Sequence, residues 1–112
     1  MLTLSRGGIL GTESDDRLLV MLRQQEGLRL TPYRDSRGVL TIGYGHNLEA
    51  NPLPWLVPSE PIPSLVAEAI LQEDLGIARY QTRVRFPWTE SLDEARTDVL
   101  VNMVFNMGAA TL

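Results

Sequence analysis

The sequence predicts an α+β domain, and three observations predict it. A capped stretch with apolar residues at helical spacing runs up to Gly27, and another follows Ser64. Between them, Asp35-Ser36-Arg37-Gly38 separates two short β-prone runs. A last run, capped from Ser91, is apolar almost all the way round from Val99 to Met107. With 112 residues there is room for one domain and one modest core.

Residues 1–13 read as a loose, glycine-rich tail without apolar periodicity. Ser14, Asp15 or Asp16 can cap the first helix, where acidic residues suit its positive end. Leu18, Leu19 and Leu22 mark its apolar face, and Gly27 is a good left-handed terminator. Glu26 lies one turn beyond Leu22 and two beyond Leu18, so it falls on or beside the buried stripe. Leu28–Tyr33 and Val39–Gly43 flank a turn with Asp first and Gly fourth, a type I signature, and form a hairpin. Gly43-Tyr44-Gly45-His46 permits a tight backbone path where a side chain would obstruct a partner.

Residues 47–63 hold five of the seven prolines and read as a stiff, irregular connection. Ser64 can cap a long helix through about Thr82, with Leu65, Ala69, Leu71, Leu75 and Ala78 among its apolar positions and Gly76 weakening its middle. Ser91-Leu92-Asp93-Glu94 fits a capping box for the last helix, which ends at Gly108. From Val99 to Met107 only Asn102 and Asn106 are polar, so burial on most sides is expected. The upstream elements offer too little to enclose it. Cover is expected from further polypeptide in the natural gene or, second, from another subunit. Surface near Met103–Leu112 is expected to drive self-association, giving a possible homo-oligomer.

Composition removes several chemistries. There is no cysteine, so disulfides, thiolate sites and cysteine nucleophiles are excluded, and a single histidine makes a histidine-rich metal site improbable. All ten basic residues are arginine, which removes Schiff-base and P-loop lysines. A net charge of −4 argues against a nucleic-acid partner. The stretch from Arg17 to His46 nevertheless carries +3 and the remainder −7. An anionic partner met locally and a solvated arginine surface explain that equally well. The start is interrupted by Arg6 and glycines and does not read as a signal peptide, and no stretch reaches membrane-span length. Cytoplasmic synthesis without a signal peptide is the expectation.

Glu26, Asp35 and Thr41 are spaced E-x8-D-x5-T across helix end, turn and returning strand. Such a spacing can bring two carboxyls to the two walls of one cleft. A glutamate against Leu22 would be desolvated and kept protonated near neutrality, while an aspartate in an open turn stays ionised. A glycosidase needs that split. Taken alone, the same three residues also fit an ordinary helix end, turn and strand.

The surrounding residues favour the chemical reading. MLRQQEGLRLTPYRDSRGVLTIGYGHNL resembles the amino-terminal lobe of phage-type lysozymes such as those of the T-even phages. It has their helix-Glu-Gly, Tyr-x-Asp, turn-Gly and Thr-Ile-Gly-x-Gly-His elements. A second block, SLDEARTDVLVNMVFNMG, resembles the buried helix of that family's carboxy-terminal lobe. Together the blocks span residues 15–108. The resemblance implies a two-lobed fold over 14–112 with its carboxy-terminal part truncated. Helix plus β lobe would occupy 14–50, the proline-rich connection 51–63, and the long helix with an incomplete helical lobe 64–112.

The resemblance also implies roles. Glu26 would be the general acid, and Asp35 with the Thr41 hydroxyl would position and activate water in an inverting hydrolysis. Phe105 matches a cleft-lining phenylalanine. Asn47 stands where the T-even enzymes carry an apolar cleft residue, and is a weaker substrate contact. His46 and Tyr33 are expected to be structural, as are Trp55 and Trp88. No metal or cofactor is implied. The implied substrate is the peptidoglycan glycan strand, cut between N-acetylmuramic acid and N-acetylglucosamine, with action at the cell wall after holin-type release. Two alternatives remain open: a non-catalytic glycan-binding or structural module, and a chitin-like polymer as substrate.

Overall fold

A computed structural model of the chain describes residues 13–107. The tail expected over 1–13 lies outside them except for Glu13, which opens the first helix; Gly108 lies outside too. The elements run α1 (Glu13–Glu26), β1 (Arg29–Arg34), β2 (Leu40–Gly43), β3 (His46–Asn47), α2 (Ser64–Arg85), a 3-10 helix (Pro87–Ser91) and α3 (Glu94–Met107). This is the expected α+β class, three helices with a small antiparallel sheet. The chain divides into two compact units, a sheet unit over 22–71 and a helical unit whose described part is 13–21 with 72–107.

In the sheet unit, α1 stops where the sequence says it should. Gly27 takes φ +70° and its N–H closes back on the Arg23 carbonyl at 3.1 Å. The sheet is a three-stranded antiparallel meander in the order β1-β2-β3. Tyr33 faces Thr41 and Arg34 faces Leu40, but the register slips between Arg29 and Tyr33. Pro32 lies inside that slip; it has no N–H to give the ladder, and edge strand β1 is where a sheet tolerates this.

The Asp35 turn forms as expected, with the Gly38 N–H on the Asp35 carbonyl at 2.9 Å. Gly38 at φ +80° then supplies the left-handed residue that returns the chain to β2. The strand β3 is an addition to the expected hairpin. Gly43 and Gly45, both at positive φ, fold the chain so tightly that Ile42 pairs with His46.

The core of the sheet unit is Ile42, Leu48, Ile62, Ala67 and Ile70, each less than one-tenth exposed. Burying one of its leucine or isoleucine side chains contributes roughly 1.5–3 kcal/mol. Leu53, Leu56 and Ile62 of the proline-rich stretch pack into or against this cluster, and the Ile62 N–H bonds the Leu30 carbonyl at 2.9 Å. That stretch is therefore part of the packed body of the unit. The α2 ladder starts from the Pro63 carbonyl, so Ser64 is the first helical residue and not a cap. The helix runs to Arg85, three residues past the expected end. Its buried face is Ala67, Ile70, Leu71, Leu75, Ala78 and Thr82; Leu65 and Ala69 point to solvent.

In the helical unit, Leu18, Leu19, Leu75, Ala78, Val101 and Val104 are buried, drawn from all three helices. Ser14 and Asp15 lie inside α1 and do not serve as caps. Arg79 binds the Asp15 carboxylate through Nε and the Ser14 hydroxyl through Nη2 at 2.8 Å, and Ser14 donates to Asp98 Oδ1 at 2.6 Å. The capping box read at Ser91 is also corrected. Asp93 is the cap, its Oδ1 accepting the Arg96 N–H at 2.9 Å, while Ser91 bonds the Trp88 carbonyl and closes the 3-10 turn. Along α3 only Val101 and Val104 are buried; Val99, Met103 and Met107 are exposed. Among the described residues one helical face meets the core and the rest lies uncovered, as expected of upstream elements that offer too little to enclose an apolar helix.

Candidate active site

The sheet unit holds Glu26, Asp35 and Thr41 together on three adjoining pieces of chain. Glu26 is the last residue of α1, one turn after the fully buried Leu22. Its side chain lies against the α-carbon of Gly45: a methyl there would stand 2.5 Å from Oε1, 2.9 Å from Cδ and 3.2 Å from Cγ. The permissive glycine tract thus has an identifiable partner, the Glu26 carboxyl. Burial raises the pKa of that carboxyl; Arg37 pulls it back down and Asp35 pushes it up.

Asp35 is built the opposite way. Its Oδ1 accepts the backbone N–H of Val39 at 2.9 Å and of Arg37 at 2.8 Å, while its Oδ2 meets the Arg37 guanidinium at 3.3 Å. The Val39 hydrogen bond leads in lowering its pKa; partial desolvation opposes, and the Arg37 amide and guanidinium lower it further. One carboxyl is thereby shifted towards the neutral acid and the other towards the carboxylate.

Val39 links Asp35 to Thr41. Its carbonyl accepts the Asp35 N–H at 3.0 Å and the buried Thr41 hydroxyl at 2.8 Å. With its proton engaged, the Thr41 oxygen is set to accept a hydrogen bond. Thr41 is held in place from both sides, facing Tyr33 on β1 and Asn47 on β3.

The other candidates divide. Asn47 Oδ1 accepts the N–H groups of Glu49 and Ala50, both at 2.9 Å, so its carbonyl end shapes the turn. His46 is 4% exposed, with Nε2 2.8 Å from the Asn51 carbonyl, a structural placement. The Arg29 guanidinium lies 4.3 Å from the Tyr33 ring centre, which packs Tyr33 against the hairpin. Trp55 and Trp88 are each more than half exposed, against the packing role expected of them; Trp88 tilts against Phe86 at 5.9 Å. Phe105 is half-buried on α3 in the helical unit.

Sequence alone assigns no role at the site to Arg37 or Val39, and it takes Gly45 as part of a tight backbone path without naming the partner a side chain would obstruct. The available signal was local: an aspartate opening a turn aims its carboxylate at the N–H groups two and four residues on. The basic stretch also looks different once folded. Arg23 pairs with Glu68 at 2.6 Å and Arg34 with Glu49 at 3.4 Å, so acids beyond the stretch answer part of its +3, while Arg37 meets Asp35 within the stretch at 3.3 Å.

A family model described as phage lysozyme matches residues 23–112. The endolysin of Acyrthosiphon pisum secondary endosymbiont phage 1 is 34% identical over 92 residues, covering 80% of this chain and 56% of that protein. The endolysin of Salmonella phage P22 is 32% identical over 94 residues, covering 80% of this chain and 60% of its own length. The chain thus spans less than two thirds of the length of the curated relatives it matches. Glu26, Asp35, Thr41, Asn47 and Phe105 all fall within the matched residues.

Proposed function

Because the chain belongs to the phage lysozyme family, we propose that it carries the hydrolytic site of a muramidase. The bond cut is the β-1,4 link between N-acetylmuramic acid and N-acetylglucosamine in peptidoglycan, and cleavage proceeds with inversion. The carrying observation is the split between the two carboxyls of the sheet unit, Glu26 shifted up by burial and Asp35 shifted down by its hydrogen bonds. Glu26 protonates the glycosidic oxygen as the bond breaks. A water on the opposite face of the sugar gives one proton to Asp35 Oδ2 and a hydrogen bond to the Thr41 oxygen. Its remaining lone pair then attacks the anomeric carbon. Phe105 and the amide NH2 of Asn47 contact the glycan in this reading.

The test is clearing of a peptidoglycan suspension by the chain beside its Glu26→Gln variant, followed by the anomeric configuration of freshly released product. Clearing lost in the variant, with initial product of inverted configuration, supports the reading. No clearing by a folded chain would turn the assignment to a non-catalytic glycan-binding module. Clearing of chitin in place of peptidoglycan would overturn the substrate alone. Action at the cell wall after holin-type release, and pairing of copies through the exposed apolar residues of α3, belong to the same proposal.

A further inference from the structure

We propose that Arg37 is a positioning residue of this site, a cation that fixes the orientation of the Asp35 carboxylate and sets the pH range over which the two carboxyls work together. The proposal rests on the reading of Glu26 and Asp35 as acid and base. Its geometry begins with the division of labour between the two oxygens of Asp35. Two backbone N–H groups occupy Oδ1, at 2.8 and 2.9 Å. Oδ2 is therefore the oxygen that takes a proton from water, and it is the oxygen the Arg37 guanidinium touches at 3.3 Å. Arg37 thus grips the carboxylate at both ends, by its amide on Oδ1 and its side chain on Oδ2.

The contact does little for stability. The Arg37 side chain is 63% exposed, and exposed ion pairs contribute roughly 0–1 kcal/mol. Its consequence is electrostatic and local. The cation favours ionised Asp35, and it also acts on Glu26 against the effects of burial and of Asp35. The other charged groups of the same unit are largely answered by their own partners: Arg34 by Glu49, Arg23 by Glu68, and Arg29 over the Tyr33 ring. His46, the titratable residue of β3, has its Nε2 at the Asn51 carbonyl. Among the described residues, Arg37 is consequently the cation that acts on both carboxyls.

The sign follows. Removing the charge lets both carboxyls hold their protons to higher pH. Asp35 then reaches its working carboxylate later, and Glu26 stays a working acid longer. Both limbs of a bell-shaped rate profile move upward together. The experiment uses the 112-residue chain and its Arg37→Gln and Arg37→Lys variants. It records the pH–rate profile of glycan cleavage and, in the unliganded protein, the NMR titration of the Glu26 and Asp35 carboxyl carbons. Arg37→Gln is expected to lose activity several-fold on the acid limb and gain it on the alkaline limb. Arg37→Lys should restore most of the profile, and added salt should shrink the difference because the pair is exposed.

Unmoved carboxyl titrations in Arg37→Gln overturn the proposal whatever the chain hydrolyses. A raised KM with both limbs unmoved also overturns it, placing Arg37 on the substrate. Shifted titrations in a chain that cleaves no glycan would uphold the hold of Arg37 on the carboxyls while removing the hydrolytic reading beneath it.

Discussion

Gly45→Ala probes the contact between the glycine tract and the candidate acid. Two penalties act at this position and can be separated. Gly45 has φ +77°, and a left-handed alanine costs roughly 1–2 kcal/mol. The added methyl also falls 2.5 Å from Glu26 Oε1, closer than any real contact of that kind. Something must give, and the carboxyl is the mobile end of a side chain, so it swings away at small further cost in stability. Function bears the greater loss, since displacing a reacting group by about 1 Å costs on the order of 100-fold in rate. Gly27→Ala and Gly38→Ala are the controls: they sit at φ +70° and +80°, with nothing within 4 Å of the added methyl. Denaturant unfolding and glycan cleavage should be measured for all three. The expected result is three similar stability losses, with activity collapsing far more in Gly45→Ala than in the controls. Equal activity in all three would refute the argument that Gly45 seats the acid.

Further outcomes follow from the same structure. Burial raises the Glu26 pKa in the folded state, so stability falls as pH rises from its unfolded to its folded value. Glu26→Gln should therefore melt higher than the parent at neutral pH and match it in acid; the reverse order would contradict burial of the carboxyl. Asp35 has the opposite sign, its contribution present above its unfolded pKa and lost as pH falls through the folded one, so Asp35→Asn should flatten the acid side of the stability curve. Arg79→Leu takes the guanidinium from the 4%-exposed Asp15 carboxylate and should destabilise by roughly 1.5–3 kcal/mol in urea unfolding. Val99, Met103 and Met107 expose apolar surface on α3, so the chain should sediment with concentration-dependent mass, and Met103→Glu should lessen that dependence.

Sequence by itself determined the elements whose signals are local. Gly27 ended α1 because a left-handed terminator needs no tertiary help. Asp35 and Gly38 made their turn for the same reason, and the spacing from Leu18 and Leu22 was enough to put Glu26 at the edge of buried surface. The E-x8-D-x5-T pattern and the flanking blocks carried the family likeness, since they are strings of residues and need no coordinates. Tertiary structure decided everything that depends on what a side chain meets across the fold. Ser14 and Asp15 looked like caps, yet Arg79 and Asp98, more than sixty residues away in sequence, draw their side chains elsewhere. A run of arginines looked basic until Glu49 and Glu68 came to lie beside it. The apolar pattern of α3 could not say which of its faces would find a neighbour. Gly45 could be read as permissive from sequence, but only the folded chain puts a carboxyl where its side chain would have been. Local backbone preferences are written in neighbouring residues, whereas charge pairing and steric exclusion depend on distances that exist only once the chain has folded.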